Sequence, residues 1–300
     1  MCGIFGFIGK SSLRTSLLLQ TLAIADEVRG RDSTGIMVFQ RHRSGSGTSY
    51  IQKAALPGRK FVINGWTEFL FAKKLHYSAA LGHNRAATTG AINKRNAHPF
   101  GWRVRRKWHW GIHNGVIHNW REVCSKFDVK KTPGVDSEAV FWAIGNLMSR
   151  GMSTESAIAK VTEYISGDFA FAMLSRKEGI WLWCNGMRPL EILDARPYGL
   201  GRWLCSTKDI FTRAWGFQRG LLGNPGSLTS FSANPYTLYL IPFGKDSVVE
   251  TVRQLNPRRE RRLSGKSYTW SDMRRRIRSG KKVSQQELFG FTGRRLKGRR

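Results

Sequence analysis

An α+β fold, two sheets with helices on their outer sides, is predicted by three features of the sequence. Ile4-Phe5-Gly6-Phe7-Ile8-Gly9 is apolar with small interruptions, the pattern of a buried strand at the start of the chain. Helical apolar faces recur in residues 12–28, 136–148 and 153–165. Most of residues 167–243 then reads as strand, so strands at both ends flank helices in the middle.

Ser11 or Ser12 caps the first helix, whose apolar face is Leu13, Leu17, Leu18, Ala25 and Val28, and Gly30 ends it. Arg29-Gly30-Arg31-Asp32-Ser33-Thr34-Gly35 is a polar, turn-rich bend leading into a strand at 36–39. Residues 41–49 are polar and glycine-rich and read as a loop, 65–74 as a short helix and 78–81 as a strand. That strand delivers Gly82-His83-Asn84-Arg85-Ala86-Ala87-Thr88-Thr89-Gly90, small residues around one arginine. Such a segment is either a surface loop with a solvated arginine or a site whose guanidinium grips a small carboxylate through two parallel hydrogen bonds.

Residues 96–100 read as a turn and 103–108 as a strand rich in cations, which on a sheet edge commonly serve only to prevent aggregation. Interleaved with Trp102, Trp108 and Trp110, the same cations make a weak pattern for stacking and phosphate binding. Residues 111–119 form a strand broken at Asn114-Gly115. Asn-Gly is usually a turn, but in a catalytic site the pair supplies a side-chain amide and a backbone N–H to a developing oxyanion. Asn119 caps a helix to about 127, and Asp136-Ser137-Glu138 opens another through about 148, with Asp136 where a carboxylate steadies a helix N-terminus. After a helix over 153–165, strands are expected at 169–174, 180–183, 203–205 and 238–241.

A chain of 300 residues accommodates one large domain or two smaller ones. It has no apolar run of about 18 residues and no signal-peptide layout, so a cytoplasmic protein without a membrane partner is expected. Cys2, Cys124, Cys184 and Cys205 show no C-x-x-C spacing, which argues against a disulfide scaffold or a thiolate metal site. His109 and His113 are four apart, but Trp108, Trp110 and Ile112 alternate around them as in a strand, so neither a metal nor another cofactor is expected. The 50 Lys+Arg outweigh the 20 Asp+Glu by 30 charges. That excess seeks polyanions, nucleic acid first, with an acidic membrane surface or an acidic protein as the alternative.

Cys2 is either an incidental residue at a frayed terminus or a nucleophile. Removing Met1 puts a thiol and a free α-amino group on one residue, and that amine, titrating near pH 8, is a base for the thiol. A buried strand directly behind it would hold Cys2 in a fixed place, which favours the nucleophile.

Five segments in order, Met-Cys-Gly-Ile-Phe-Gly at residue 1, Arg-Gly-Arg-Asp-Ser-Thr-Gly at 29, Gly-His-Asn-Arg-Ala-Ala-Thr-Thr-Gly at 82, His-Asn-Gly at 113 and Asp-Ser-Glu at 136, resemble the class II glutamine amidotransferase domain. That domain is a member of the N-terminal-nucleophile hydrolases, and the resemblance runs from residue 1 to about 243. It implies a four-layer αββα sandwich in which Cys2 attacks the side-chain amide of glutamine, its own α-amino group acting as base. It further implies that Asn114 and Gly115 form the oxyanion hole, that Arg85 holds the glutamine α-carboxylate and that Asp136 holds its α-amino group. Thr88 matches a substrate-loop threonine, and Arg29 and Asp32 match a segment shaping the site beside the nucleophile. Ala86 and Thr89 depart from the sugar-phosphate aminotransferase branch, which carries an aromatic residue and a histidine at those places.

Residues 251–300 hold 17 Lys+Arg against 3 Asp+Glu, show no glycine-rich phosphate loop and are too short for an ammonia-consuming synthase domain. Trp270, Met273 and Ile277 share a helical face before Gly280, and Ser284 with Glu287 makes a capping box. The segment is therefore either a small helical hairpin for nucleic acid or a disordered basic arm, in both cases acting through Arg258, Arg259, Arg274, Arg275, Arg276, Lys281, Lys282, Arg294 and Arg295. The expectation is an amidotransferase domain over 1–243 and a basic tail over 244–300, similar to compact amidotransferase-domain proteins of some bacteriophages, which would work in a host cytoplasm. Ammonia from glutamine would pass to a separate synthase or modifying enzyme, with a nucleotide or nucleic-acid base as a plausible acceptor. Two alternatives stay open: a non-enzymatic nucleic-acid-binding protein on the same scaffold, and an amidase for another amide.

Overall fold

The computed structural model describes residues 1–42, 46–66, 76–88, 90–226, 228–244 and 248–256. Among them the strands in chain order are β1 (Gly3–Ile8), β2 (Ser33–Arg41), β3 (Gly47–Ala54), β4 (Ala79–Arg85), β5 (Phe100–Val104), β6 (Lys107–Ile117) and β7 (Gly167–Ser175). They continue with β8 (Gly179–Cys184), β9 (Glu191–Asp194), β10 (Arg202–Cys205), β11 (Thr229–Ser232), β12 (Thr237–Pro242) and β13 (Glu250–Gln254). The α-helices are α1 (Leu13–Ala25), α2 (Gly58–Phe61), α3 (Trp120–Lys126), α4 (Asp136–Ser149), α5 (Thr154–Thr162), α6 (Lys208–Gly216) and α7 (Arg219–Leu222). One antiparallel sheet has the order β11-β9-β10-β1-β4-β2-β3, the other β13-β12-β8-β7-β6-β5.

Three separate apolar clusters show how four layers stack. On β1, Phe5 and Phe7 point outward and pack with Leu18, Leu22, Phe211 and Trp215 of α1 and α6. Their neighbours Ile4 and Ile8 point inward against Ile112, Ala170 and Leu182 of the facing sheet. On β7, Phe169, Phe171 and Met173 turn outward to Phe141, Ile144 and Ile158 of α4 and α5, while Ala170, Ala172 and Leu174 turn inward. Period-two alternation lets each central strand serve two cores, which is why these strands read as continuous apolar runs. The result is the αββα sandwich.

Several local expectations change once strands pair. Residues 103–108 are a hairpin rather than one strand: β5 ends at Val104, Arg105 (φ 46°) and Arg106 (φ 67°) make the turn, and β6 starts at Lys107. Two left-handed residues suit the right-handed twist of the flanking strands, yet arginine carries none of the usual turn chemistry. Asn114-Gly115 does not turn. β6 runs straight through it, paired with β7 from Trp110↔Leu174 to Ile117↔Gly167.

The expected loop over 41–49 is shorter, since β2 runs to Arg41 and β3, its antiparallel partner, begins at Gly47; residues 43–45 lie outside the described residues. The expected helix at 65–74 falls mostly outside the described residues. Helices α6 and α7 interrupt a region expected to be mostly strand, α6 being announced by Thr207, whose side chain accepts a hydrogen bond from the Ile210 N–H. Asn119 occupies the N-cap of α3 without a side-chain cap bond; its amide instead binds the Tyr164 carbonyl and the Ser166 N–H at 2.9 and 2.8 Å. Trp102 and Trp110 do not build an exposed stacking face, since Trp102 is buried against Phe141 and Trp110 lies in the core between the sheets. The second sheet continues past residue 243, because β13 pairs with β12.

Candidate active site

β1 is the middle strand of its sheet, and its partners decide what surrounds Cys2. Register Gly3↔Asn84 brings Arg85, at the end of β4, beside Cys2. Register Ser33↔Arg85 on the other side of β4 brings in Asp32 at the start of β2. From the facing sheet come His113, Asn114 and Gly115 of β6, and from the first turn of α4 comes Asp136.

The Cys2 Sγ lies 3.4 Å from both the N–H and the carbonyl oxygen of Ala86. Arg29 Nε donates to the Cys2 carbonyl at 2.9 Å, which clamps the backbone of the nucleophile candidate. Asp32 accepts from the Ala87 N–H at 2.7 Å, and its own N–H binds the Arg85 carbonyl at 3.0 Å. The Arg85 guanidinium donates to the carbonyls of Ala91 (3.1 Å) and Gly90 (3.5 Å). Asp136 commits one oxygen to the Ile117 N–H at 2.7 Å, so its bond ties α4 to β6 rather than capping its own helix.

Gly115 has no substitute at its position. Its φ is 147°, and a Cβ there would lie 1.8 Å from the Asp168 carbonyl oxygen. Next to it the Asn114 side chain is buried, with neither amide atom hydrogen-bonded among the described residues. Unpartnered buried amides are rare, but Asn114 is not among the residues that line the cavity described below, although its neighbours His113 and Gly115 are.

A layer of imidazoles lies underneath. His83 stacks on His98 with ring centroids 3.9 Å apart, and His83 Nε2 donates to the His113 carbonyl at 2.9 Å, since a carbonyl can only accept. His113 Nδ1 pairs with Ser137 Oγ at 2.8 Å. Burial pushes His83 down to about 3 and His113 to about 4, and holds His98 well below the usual imidazole range. All three are neutral at pH 7. Burial pushes the Cys2 thiol up, opposed by the Ala86 hydrogen bond and by the positive charges of the N-terminus and Arg85.

Cys2, Arg85, Thr88, Gly115 and Asp136 all line one small cavity. Arg29 and Asp32 stand behind it and hold its backbone walls. His98, His113, Val135 and Ser137 also line it and are not among the site residues expected from sequence, where His113 is weighed only as a metal ligand with His109. The signal for three of them was present, because His113 and Ser137 belong to the His-Asn-Gly and Asp-Ser-Glu segments and Val135 directly precedes the latter. Thr89 and the basic candidates within 258–295 lie outside the described residues.

Two antiparallel sheets packed face to face with helices outside, and a cysteine directly ahead of the middle strand of one sheet, are the arrangement of the N-terminal-nucleophile hydrolase fold. Solved structures share it. The glutamine phosphoribosylpyrophosphate amidotransferase of B. subtilis, complexed with ADP and GMP, matches 84% of this chain and 49% of its own with a TM-score of 0.61 at 19% identity. The structure described as the allosteric regulatory enzyme of purine biosynthesis matches the same shares with a TM-score of 0.62 at 18% identity. In sequence, the family profile of class-II glutamine amidotransferases matches residues 1–200. Glutamine–fructose-6-phosphate aminotransferase (isomerizing) of Shouchella clausii is 31% identical over 182 residues, and that of Geobacillus kaustophilus 30% over 183 residues. Each alignment covers 59% of this chain and 28% of the relative, so the match spans little more than a quarter of those relatives. The chain belongs to the class-II glutamine amidotransferases.

Proposed function

We propose that the cavity hydrolyses the side-chain amide of glutamine. One observation carries this reading: a thiol and a guanidinium from the first sheet and a carboxylate from helix α4 line a single small cavity. The two charges complement the α-carboxylate and α-ammonium of a free amino acid, with Arg85 taking the first and Asp136 the second. Because burial raises the Cys2 thiol, it needs a base. Met1 is 68% exposed and open to removal, and the α-amino group left on Cys2 takes the thiol proton. The thiolate then attacks the amide carbon, and the Asn114 amide and the Gly115 N–H receive the oxyanion. As the C–N bond breaks, the proton passes to the departing ammonia and a glutamyl thioester remains. Water, giving its proton to the same amine, releases glutamate.

The ammonia is taken up by a separate synthase or modifying enzyme. The excess of 30 positive charges supports a nucleotide or nucleic-acid base as the acceptor, in the cytoplasm of the cell or of a phage host. Nucleoside composition of nucleic acid made with and without the protein checks the acceptor; an unchanged composition removes it.

Intact mass before and after incubation with a glutamine-mimicking electrophile tests the site. The expected result is loss of Met1 and one adduct that Cys2→Ala abolishes. Retained Met1 with no adduct would sink the reading.

A further inference from the structure

A second cleft, of about 580 Å³, opens at the free edge of the second sheet, where β5 has no neighbour on its outer side among the described residues. It shares α4 with the cysteine site but uses the opposite end of that helix. At about 1.5 Å per residue, Trp142 and Arg150 lie roughly 9 and 21 Å along the axis from Asp136.

The cleft is aromatic within and cationic around its mouth. Trp102, Trp108 and Trp142 line it, Trp108 and Trp142 being partly exposed. The Arg103 guanidinium lies 4.6 Å from the centre of the Trp108 ring, and Lys131 Nζ lies 5.8 Å from that of Trp142. Lys130 and Arg150 also line it, and both pair with Asp128, the one acid of its lining. Arg103, Lys130, Lys131 and Arg150 against Asp128 leave the lining cationic, and the β5–β6 turn continues that charge through Arg105, Arg106 and Lys107.

A phosphate alone would be served by the cations, and a purely apolar ligand by the tryptophans. A ligand using both has a flat π-face next to phosphate charge. A base inside a duplex cannot offer its face, whereas an unstacked base in a single strand can. The volume is that of a site for one small ligand, enough for a nucleotide unit, and the charge of the whole chain favours an extended polyanion over a single phosphate. We propose that this cleft binds single-stranded nucleic acid, one base stacking on Trp142, since Trp108 already stacks on Trp110 at 5.4 Å, and the flanking phosphates resting on Arg103, Lys131 and the hairpin cations. The inference stands apart from the glutamine reading, and Cys2→Ala is expected to bind a strand unchanged.

The test is fluorescence titration of the full chain with a short homopolymeric oligonucleotide, together with photo-crosslinking and peptide mapping. Saturable tryptophan quenching is expected, with crosslinks in residues 100–110 and 128–150. Trp142→Ala should weaken binding about tenfold, and Arg103→Ala with Lys131→Ala should lower the salt slope by about 1.4. Trp142→Phe, which keeps most of the packing, and the double alanine variant decide the matter if Trp142→Ala does not fold. Wild-type affinity in both, or crosslinks confined to 258–300, would overturn the proposal. Equal competition by a duplex would also overturn it, as would a mononucleotide binding as tightly as the oligonucleotide.

Discussion

Asp26 is fully buried where α1 gives way to the turn before Arg29, and neither of its carboxylate oxygens has a hydrogen bond among the described residues. It sits so close to β1 that a Cβ on Gly3 would fall 1.8 Å from its Oδ2, so any side chain at residue 3 would have to displace the Asp26 carboxyl. Burial pushes the Asp26 carboxyl well above the usual carboxylate range, against a smaller pull from Arg29. The folded state therefore binds this proton more tightly than the unfolded chain, and its contribution is lost as pH rises from about 4 towards the folded pKa. Asp26→Asn should raise Tm at pH 7, with the gain shrinking to nothing near pH 4; a scan of Tm against pH checks this. Arg85→Lys keeps the charge and loses the planar fork, so kcat/KM for glutamine should fall roughly 10–100-fold, mostly through KM, in steady-state glutaminase kinetics. Gly115→Ala forces both a left-handed φ and a collision with the Asp168 carbonyl. It should lower stability by about 3 kcal/mol or more in denaturant unfolding.

β6 and α4 together build most of the second sheet's share of the cavity. β6 carries His113 and Gly115 to it, α4 carries Asp136 and Ser137, and the Asp136–Ile117 bond locks the two elements. Behind them Phe171 of β7 stacks on His113 (4.4 Å) and Trp183 (4.9 Å) and meets Phe141 of α4 edge-on at 5.6 Å. Phe171→Ala should therefore cost about 3–5 kcal/mol in urea unfolding, since a fully buried ring leaves a cavity among rigid neighbours. Local signals describe these elements unequally. The helical period of α4 and the unbroken apolar run of β7 survive in any context, so both were legible in the sequence. The path of β6 through Asn114-Gly115 was not, because the turn preference of that pair yields to pairing with β7 along its length.

Across the molecule, buried imidazoles set the response to acid. His83, His98, His109 and His113 are all depressed by burial, His109 to about 4. Each is neutral in the fold and takes up a proton on unfolding below about pH 6.5, so each favours unfolding by up to about 1.4 kcal/mol per pH unit of further acidification. Asp26 works in the opposite sense over the same window, but it is one group against four. Tm should fall steadily from pH 6.5 to 4.5 in calorimetry, and more steeply in Asp26→Asn, where the opposing group is gone. A flat profile would mean that these imidazoles are hydrated in solution.

Period-two and period-3.6 patterns, the apolar first strand and the ordered polar motifs were enough to determine the layered α+β architecture and the family. They rest on local chemistry that each segment carries wherever it lies. Tertiary structure alone decided the Arg105–Arg106 turn, the burial of Trp102 and Trp110, and the standing of Arg29 and Asp32 behind the cavity rather than in it. It also decided that Cys2, Arg85 and Asp136, up to 134 residues apart, share one cavity. Those outcomes depend on which strand pairs with which and in what register, and on the facing of two sheets, neither of which any single segment encodes.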